Sequence, residues 1–195
     1  MNTIAPFRIT VCGIVELTDH RETGASHVVS ILDPDWPVPE VFGSFGEHEK
    51  LELRFHDLIE EDVGRAPPQK EDVIRLLEFG RDLTAEPPEH AHLLVHCHAG
   101  ISMSTASMAL ILAQSLPRLS ARQVLQEVLR IRPKAWPNLR IIELGDALLS
   151  RQGEIIAAAI EIYRMQLETR PHLAEFMTIG GRSREVLLAR SLGTT

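Results

Sequence analysis

The stretch from Leu93 to Gln114, LLVHCHAGISMSTASMALILAQ, constrains the fold more than any other part of the chain. A short apolar run leads into His96, Cys97 and His98, passes a turn containing Gly100, and continues as an apolar helix from about Ser104. A strand that turns directly into a helix is the joint of a parallel α/β sheet, and ligands sit beyond the carboxyl ends of such strands. The turn would aim backbone N–H groups at one point beside the positive end of the helix, forming an anion cradle. Gly100 permits backbone geometry closed to other residues, and Ala99 is small enough for close approach. In that field Cys97 is favoured as the thiolate, the form that attacks. Ser104 is placed to donate a hydrogen bond to it, and His96 to order the loop from beneath.

The remaining elements fit around this joint. Phe7 to Leu17 reads as a buried strand, residues 18–24 as a short helix, and Ser26 to Leu32 as a second strand. Residues 50–55, KLELRF, alternate as a half-covered strand and end in the acidic loop HDLIEEDVGRAPPQ. Helical spacing covers Lys70 to Leu83. After the quoted stretch the chain is nearly all helix: 104–115, a segment capped by Ser120, one following Pro137, and about Glu154 to Leu167. The fold class expected is α/β, with a small, mostly parallel central sheet flanked by helices and a helical C-terminal part. Residues 1–168 form the domain. Residues 169–195 form a tail in which a short helix follows Gly180 and Gly181, and its arginines read as a solvated face.

The loop resembles the signature of the cysteine-dependent protein tyrosine and dual-specificity phosphatases: His-Cys, two residues, Gly, two residues, Arg, then Ser or Thr. His96, Cys97, Gly100 and Ser104 match, and Met103 stands where the family has arginine. Arg132, Pro133, Pro137 and Asn138 resemble the Arg-Pro and Pro-Asn pairs that precede a core helix in dual-specificity enzymes. "FHDL" and "HCHAGISMST" are also similar to a bacterial subgroup with "HD" after a strand and "HCxAGISRST" in the loop. The likeness spans roughly residues 8 to 150.

This resemblance implies a phosphocysteine intermediate on Cys97, with the loop residues His98, Ala99, Gly100, Ile101, Ser102 and Met103 around the phosphate. It implies an aspartate that protonates the leaving oxygen, supporting roles for His96 and Asn138, and neither metal nor cofactor. Asp57, directly after the strand, is the first candidate for the acid; Asp62, before the proline stretch, is the second. Met103 breaks the pattern, because arginine supplies a planar fork of charged donors and a thioether supplies none. Arg132, Lys134, Arg140 and Arg54 are candidates to replace that charge. Two functions stay open: a phosphomonoester hydrolase of the dual-specificity type, and a phosphatase-like module that binds an anion or phosphoprotein with little turnover.

Other readings are weaker. His96, Cys97 and His98, with His90 and His92 nearby, could suggest a metal site, but neighbours on a strand face opposite ways and zinc favours spaced ligand pairs. A buried, inert thiol is the plain alternative for Cys97, and Cys12, inside an apolar strand, is read as core. The stripe Ile155, Ile156, Ala159, Ile160, Tyr163 and Leu167 packs on the domain or on a partner helix, so a homo-oligomer is possible. The 27 acidic against 20 basic residues, net charge -7, argue against nucleic acid or an anionic membrane as partner. A phosphorylated substrate, or inorganic phosphate or sulfate, is the partner expected. Two cysteines without a disulfide framework suit a cytoplasmic setting, and the N-terminal segment reads as a strand rather than a signal peptide.

Overall fold

The computed structural model describes residues 4–87 and 89–191, so the ends of both the expected domain and its tail lie outside the described residues. Four strands, β1 (Arg8–Gly13), β2 (His27–Leu32), β3 (Glu49–Arg54) and β4 (His92–Cys97), form one sheet in the order β1-β4-β2-β3. Every pairing is parallel. Among the described residues seven α-helices follow or interleave: α1 (Lys70–Ala85), α2 (Met103–Ser115), α3 (Ala121–Ile131), α4 (Leu139–Leu148), α5 (Glu154–Thr169), α6 (Leu173–Ile179) and α7 (Ser183–Ser191). β4 lies between β1 and β2, so its carboxyl end opens at the centre of the sheet.

Alternation along the strands builds two unequal faces. Val29, Ile31, Leu93, Val95 and Cys97 point into the main core with α2, α3, α4 and α5. Val28, Leu94 and Cys12 point the other way, where Leu17, Phe42 and Phe45 cover them from short 3-10 segments at Ile14–His20 and Glu40–Ser44. The sheet is thus layered by α-helices on one face and by 3-10 turns on the other.

Most elements stand where the pattern of residues puts them. Ser120 Oγ accepts from the Gln123 amide at 3.3 Å, and Asn138 Oδ1 accepts from the Ile141 amide at 3.0 Å, each capping the expected helix. β1 is shorter than expected. The Gly13 amide donates to Glu16 Oε2 at 2.6 Å, and the chain leaves the sheet there as a 3-10 helix, earlier than the helix expected at Thr18.

The tail differs more. It contains two helices, and α7 packs against α5, with Val186 and Ala189 in the core. The stripe on α5 is covered within the chain: Ile155, Ala159 and Tyr163 are fully buried, and Tyr163 stacks on Trp136 at 4.8 Å. Among the described residues no helix is long and apolar enough to cross a membrane.

Candidate active site

β4 ends on Cys97 and α2 begins at Met103, so residues 98–102 make the turn between them. Every carbonyl of that turn accepts a bond from outside it. His98 O takes the Ile14 amide, Ile101 O the Trp136 amide, and Ser102 O the amides of Asn138 and Ala106. Ala99 O and Gly100 O take Arg132. Among the described residues, none of the amides of 98–102 donates to another protein group. With the oxygens engaged outside the turn, the N–H groups are left available to an anion. Cys97 Sγ lies 3.2 Å from Ser104 Oγ in the first turn of α2, the pairing expected of a nucleophile and its donor.

The loop is fixed from behind. Arg132 Nε donates to Gly100 O at 2.9 Å and Nη2 to Ala99 O at 3.1 Å, while the same guanidinium grips Glu16 at 2.7 Å. Burial alone would raise the Glu16 carboxyl, but bonds from Arg132 and the Gly13 amide hold it below its ordinary value. Gly100 has φ +68, and a Cβ there would sit 2.5 Å from the Cys12 carbonyl carbon. Both the backbone angle and the close approach to β1 require glycine.

Cys97, His98, Ala99, Ile101, Ser102 and Met103 line a cavity of about 420 Å³ that Asp57 also enters. Asp57 Oδ1 accepts from Asn138 Nδ2 at 2.7 Å and from Ser102 Oγ at 2.8 Å. Asn138 is fully buried; its amide also bonds the loop and its side chain caps α4, so one residue ties Asp57, the loop and the following helix together. Asp62 is not brought in. It is exposed, pairs with Arg65 at 3.4 Å, and does not line the cavity.

The histidines have other work. His96 points to the face opposite Cys97, where Nε2 lies 2.8 Å from Ser30 Oγ on β2 and no hydrogen bond joins it to residues 98–102. Burial lowers it to about 4. His98 Nε2 accepts from the Asp33 amide at 3.1 Å, with Trp36 edge-on at 4.7 Å. Among the described residues no three His, Cys, Asp or Glu side chains gather as a metal site.

Three of the cations considered as replacements for a loop arginine are engaged elsewhere. Arg132 anchors the loop from behind, Arg140 bonds Pro68 O and Glu61, and Arg54 pairs with Glu52 and with carbonyls of 33–36. Lys134 is exposed and does not line the cavity. Among the described residues two other cations line the cavity: Arg65, half exposed and paired with Asp62, and Arg182, buried beside the loop and coming from the segment read as a solvated tail. The Arg182 side chain is 6% exposed, and Nη1 lies 3.0 Å from Asp57 Oδ1 and 3.1 Å from Ser102 Oγ. Burial works against its charge, but Asp57 and Glu185 outweigh that and hold the guanidinium more firmly protonated than usual. One signal was present in the sequence: Glu185 sits among the apolar positions Val186 and Ala189 of its helix, and a carboxylate on a buried face needs a cation three or four residues away.

No protein-family model and no curated protein sequence matches the chain. Solved structures do. Human DUSP28 is 18% identical, with 77% of this chain covering 99% of that one at a TM-score of 0.54. DUSP15 is 22% identical, covering 87% of this chain and 96% of that one at 0.54. Tk-PTP in its active form is 23% identical, covering 74% and 92% at 0.52. The chain has the fold of the dual-specificity and protein tyrosine phosphatases. At the top of that phosphatase fold's central strand sits Cys97.

Proposed function

We propose that the protein is a Cys97-dependent phosphomonoester hydrolase of the dual-specificity type, nearest in its loop to the bacterial subgroup with "HCxAGISRST". One observation carries this reading: the sulfur, paired with Ser104, stands at the base of a loop whose five carbonyls are all turned outward. The phosphate of a phosphorylated substrate is held by the amides of 98–102. The Cys97 thiolate attacks phosphorus, and an S–P bond forms as the bond to the leaving oxygen breaks. Every bond Asp57 accepts falls on Oδ1, which leaves Oδ2 to carry the proton given to that oxygen. Water then cleaves the S–P bond, returns a proton to Asp57 and releases inorganic phosphate. A positioned acid contributes on the order of 10²-fold or more. The chemistry needs a reduced thiol, in keeping with a cytoplasmic setting.

The second reading is a module that binds phosphate, sulfate or a phosphoprotein with little turnover, and Met103 in the arginine position favours it. Hydrolysis of an aryl phosphate by the natural chain and by Cys97→Ser decides between them. Turnover that Cys97→Ser abolishes, with phosphate trapped on Cys97 after an acid quench, supports the enzyme. Inorganic phosphate bound without turnover supports the module. Neither binding nor turnover refutes both.

A further inference from the structure

Met103 leaves the loop with no charged side chain of its own, and the side chain itself is buried in the core at 2% exposure. Arg182 lies where a charge is missing. It is reached only through the tertiary fold, 80 residues beyond Ser102, at the turn between α6 and α7.

The arginine is clamped on two sides. Nη2 donates to Glu185 Oε1 at 2.6 Å, and Glu185 is itself held by Trp136 Nε1 at 2.6 Å and the Leu139 amide at 2.9 Å. Trp136 in turn donates its amide to Ile101 O of the loop at 2.9 Å. On the other side Nη1 meets Ser102 Oγ and Asp57 Oδ1. The guanidinium is therefore fixed to the phosphate loop and to the acid at once, and its Nε–H has no partner among the described residues. A buried guanidinium costs several kcal/mol of desolvation. Pairing with Glu185 would satisfy that charge anywhere in the core; lining the cavity beside Cys97 and Ser102 is not needed for it. Arg65 also lines the cavity, but it is half exposed and faces Asp62.

We propose that Arg182 takes over from outside the loop the phosphate-holding role that Met103 cannot perform, so that the α6–α7 segment is part of the active site. The proposal rests on the phosphatase reading above. Ser102 Oγ, a loop atom, is already a partner of Nη1, so a phosphoryl oxygen in the cradle exchanges for it with little movement of the side chain. Glu185 pairs with the other side of the guanidinium and balances its charge. What the phosphate gains is a rigidly held, charge-assisted donor, Nη1, placed next to the group that protonates the leaving oxygen.

The test compares the natural chain, Arg182→Gln, Arg182→Lys, and each of these combined with Met103→Arg. The readouts are aryl phosphate hydrolysis, inhibition by inorganic phosphate, and thermal unfolding. Arg182→Gln is expected to lower kcat/KM by roughly 10²- to 10³-fold and to weaken phosphate inhibition, and Arg182→Lys to fall between it and the natural chain, since lysine keeps the charge without the fork. Adding Met103→Arg is expected to restore most of the loss, which a guanidinium in the loop could not do if the only defect were a loosened α7. If Arg182→Gln does not fold, Arg182→Lys with and without Met103→Arg gives the same comparison. Natural kcat/KM in a folded Arg182 variant, or no recovery on adding Met103→Arg, overturns the inference while Cys97-dependent hydrolysis by the natural chain still stands. A natural chain that neither hydrolyses the ester nor binds phosphate sinks the phosphatase reading itself.

Discussion

Arg132 donates to the carbonyl of Gly100 from behind the loop at 2.9 Å, and this contact holds the Gly100 carbonyl away from the cavity side of the loop. A carbonyl turned inward would repel an anion; one pulled outward leaves its neighbour's N–H pointing in. Arg132→Ala removes the bonds to Gly100 O, Ala99 O and Glu16 together. The expected cost is about 1.5–3 kcal/mol of stability, read from urea unfolding, with at least a tenfold (about 1.4 kcal/mol) weaker inhibition by inorganic phosphate. Arg132→Lys restores charge against Glu16 but not the fork on two carbonyls, so stability should recover further than phosphate inhibition. Unchanged inhibition in both variants would mean that the loop keeps its shape without this anchor.

Gly100 and Gly64 separate backbone strain from crowding. Both adopt left-handed backbone, with φ +68 and +78, but a Cβ at Gly64 meets nothing within 4 Å, whereas at Gly100 it meets the Cys12 and Gly13 backbone at 2.5 to 2.7 Å. Gly64→Ala should cost only the conformational penalty, about 1–2 kcal/mol. Gly100→Ala should cost about 2–5 kcal/mol, because the obstructing atoms are strand backbone that cannot swing aside. It should also abolish phosphate inhibition. Equal unfolding midpoints for the two variants would contradict the close approach of the loop to β1.

The contrast between Asn138 and Arg182 shows what the sequence could reveal. Strands, helices and the Ser120 and Asn138 caps follow from local rules, since the interacting groups lie within a few residues. Cys97, Gly100 and Ser104 are equally local, because one strand-turn-helix joint holds them all. The choice between Asp57 and Asp62 is not local. Both sit in the same acidic loop, and only the contact of Asp57 with Asn138, 81 residues away, draws one of them inward. Arg182 is 125 residues from Asp57, and the polar residues around it hide a buried position inside a tail that looks solvated. His96 was legible in position and also in direction: the alternation of β4 sends it to the face of Ser30 once Cys97 takes the other, a rule that placing it beneath the loop leaves out of account.

His96 makes stability depend on pH in a defined direction. Burial lowers it from 6.5 to about 4, so between those values the unfolded chain binds a proton that the folded chain refuses. Stability is therefore at its full value above about pH 6.5 and falls as pH drops towards 4, by on the order of 3 kcal/mol in total for this one group. His27 and His92, also lowered by burial, act in the same sense. Urea midpoints between pH 8 and 4 should trace the fall, and His96→Gln should flatten it. A natural chain equally stable at pH 7.5 and 4.5 would show that His96 is charged or solvated in the fold.

The two cysteines should behave oppositely towards an alkylating reagent. Cys12 is fully buried behind the loop, and burial, with Glu16 adding to it, pushes the thiol up to about 12. At pH 7 only about one part in 10⁵ of it is thiolate, and that fraction has no path to solvent. Cys97 lies scarcely more open by area, yet it lines the cavity and faces Ser104. Iodoacetamide at pH 7 should therefore label Cys97 alone, with inorganic phosphate slowing the reaction by occupying the same amides. Mass spectrometry of the labelled chain reads both sites at once. Labelling at Cys12 as fast as at Cys97, or a Cys97 rate indifferent to phosphate, would mean that the sulfur does not share its cradle with an anion.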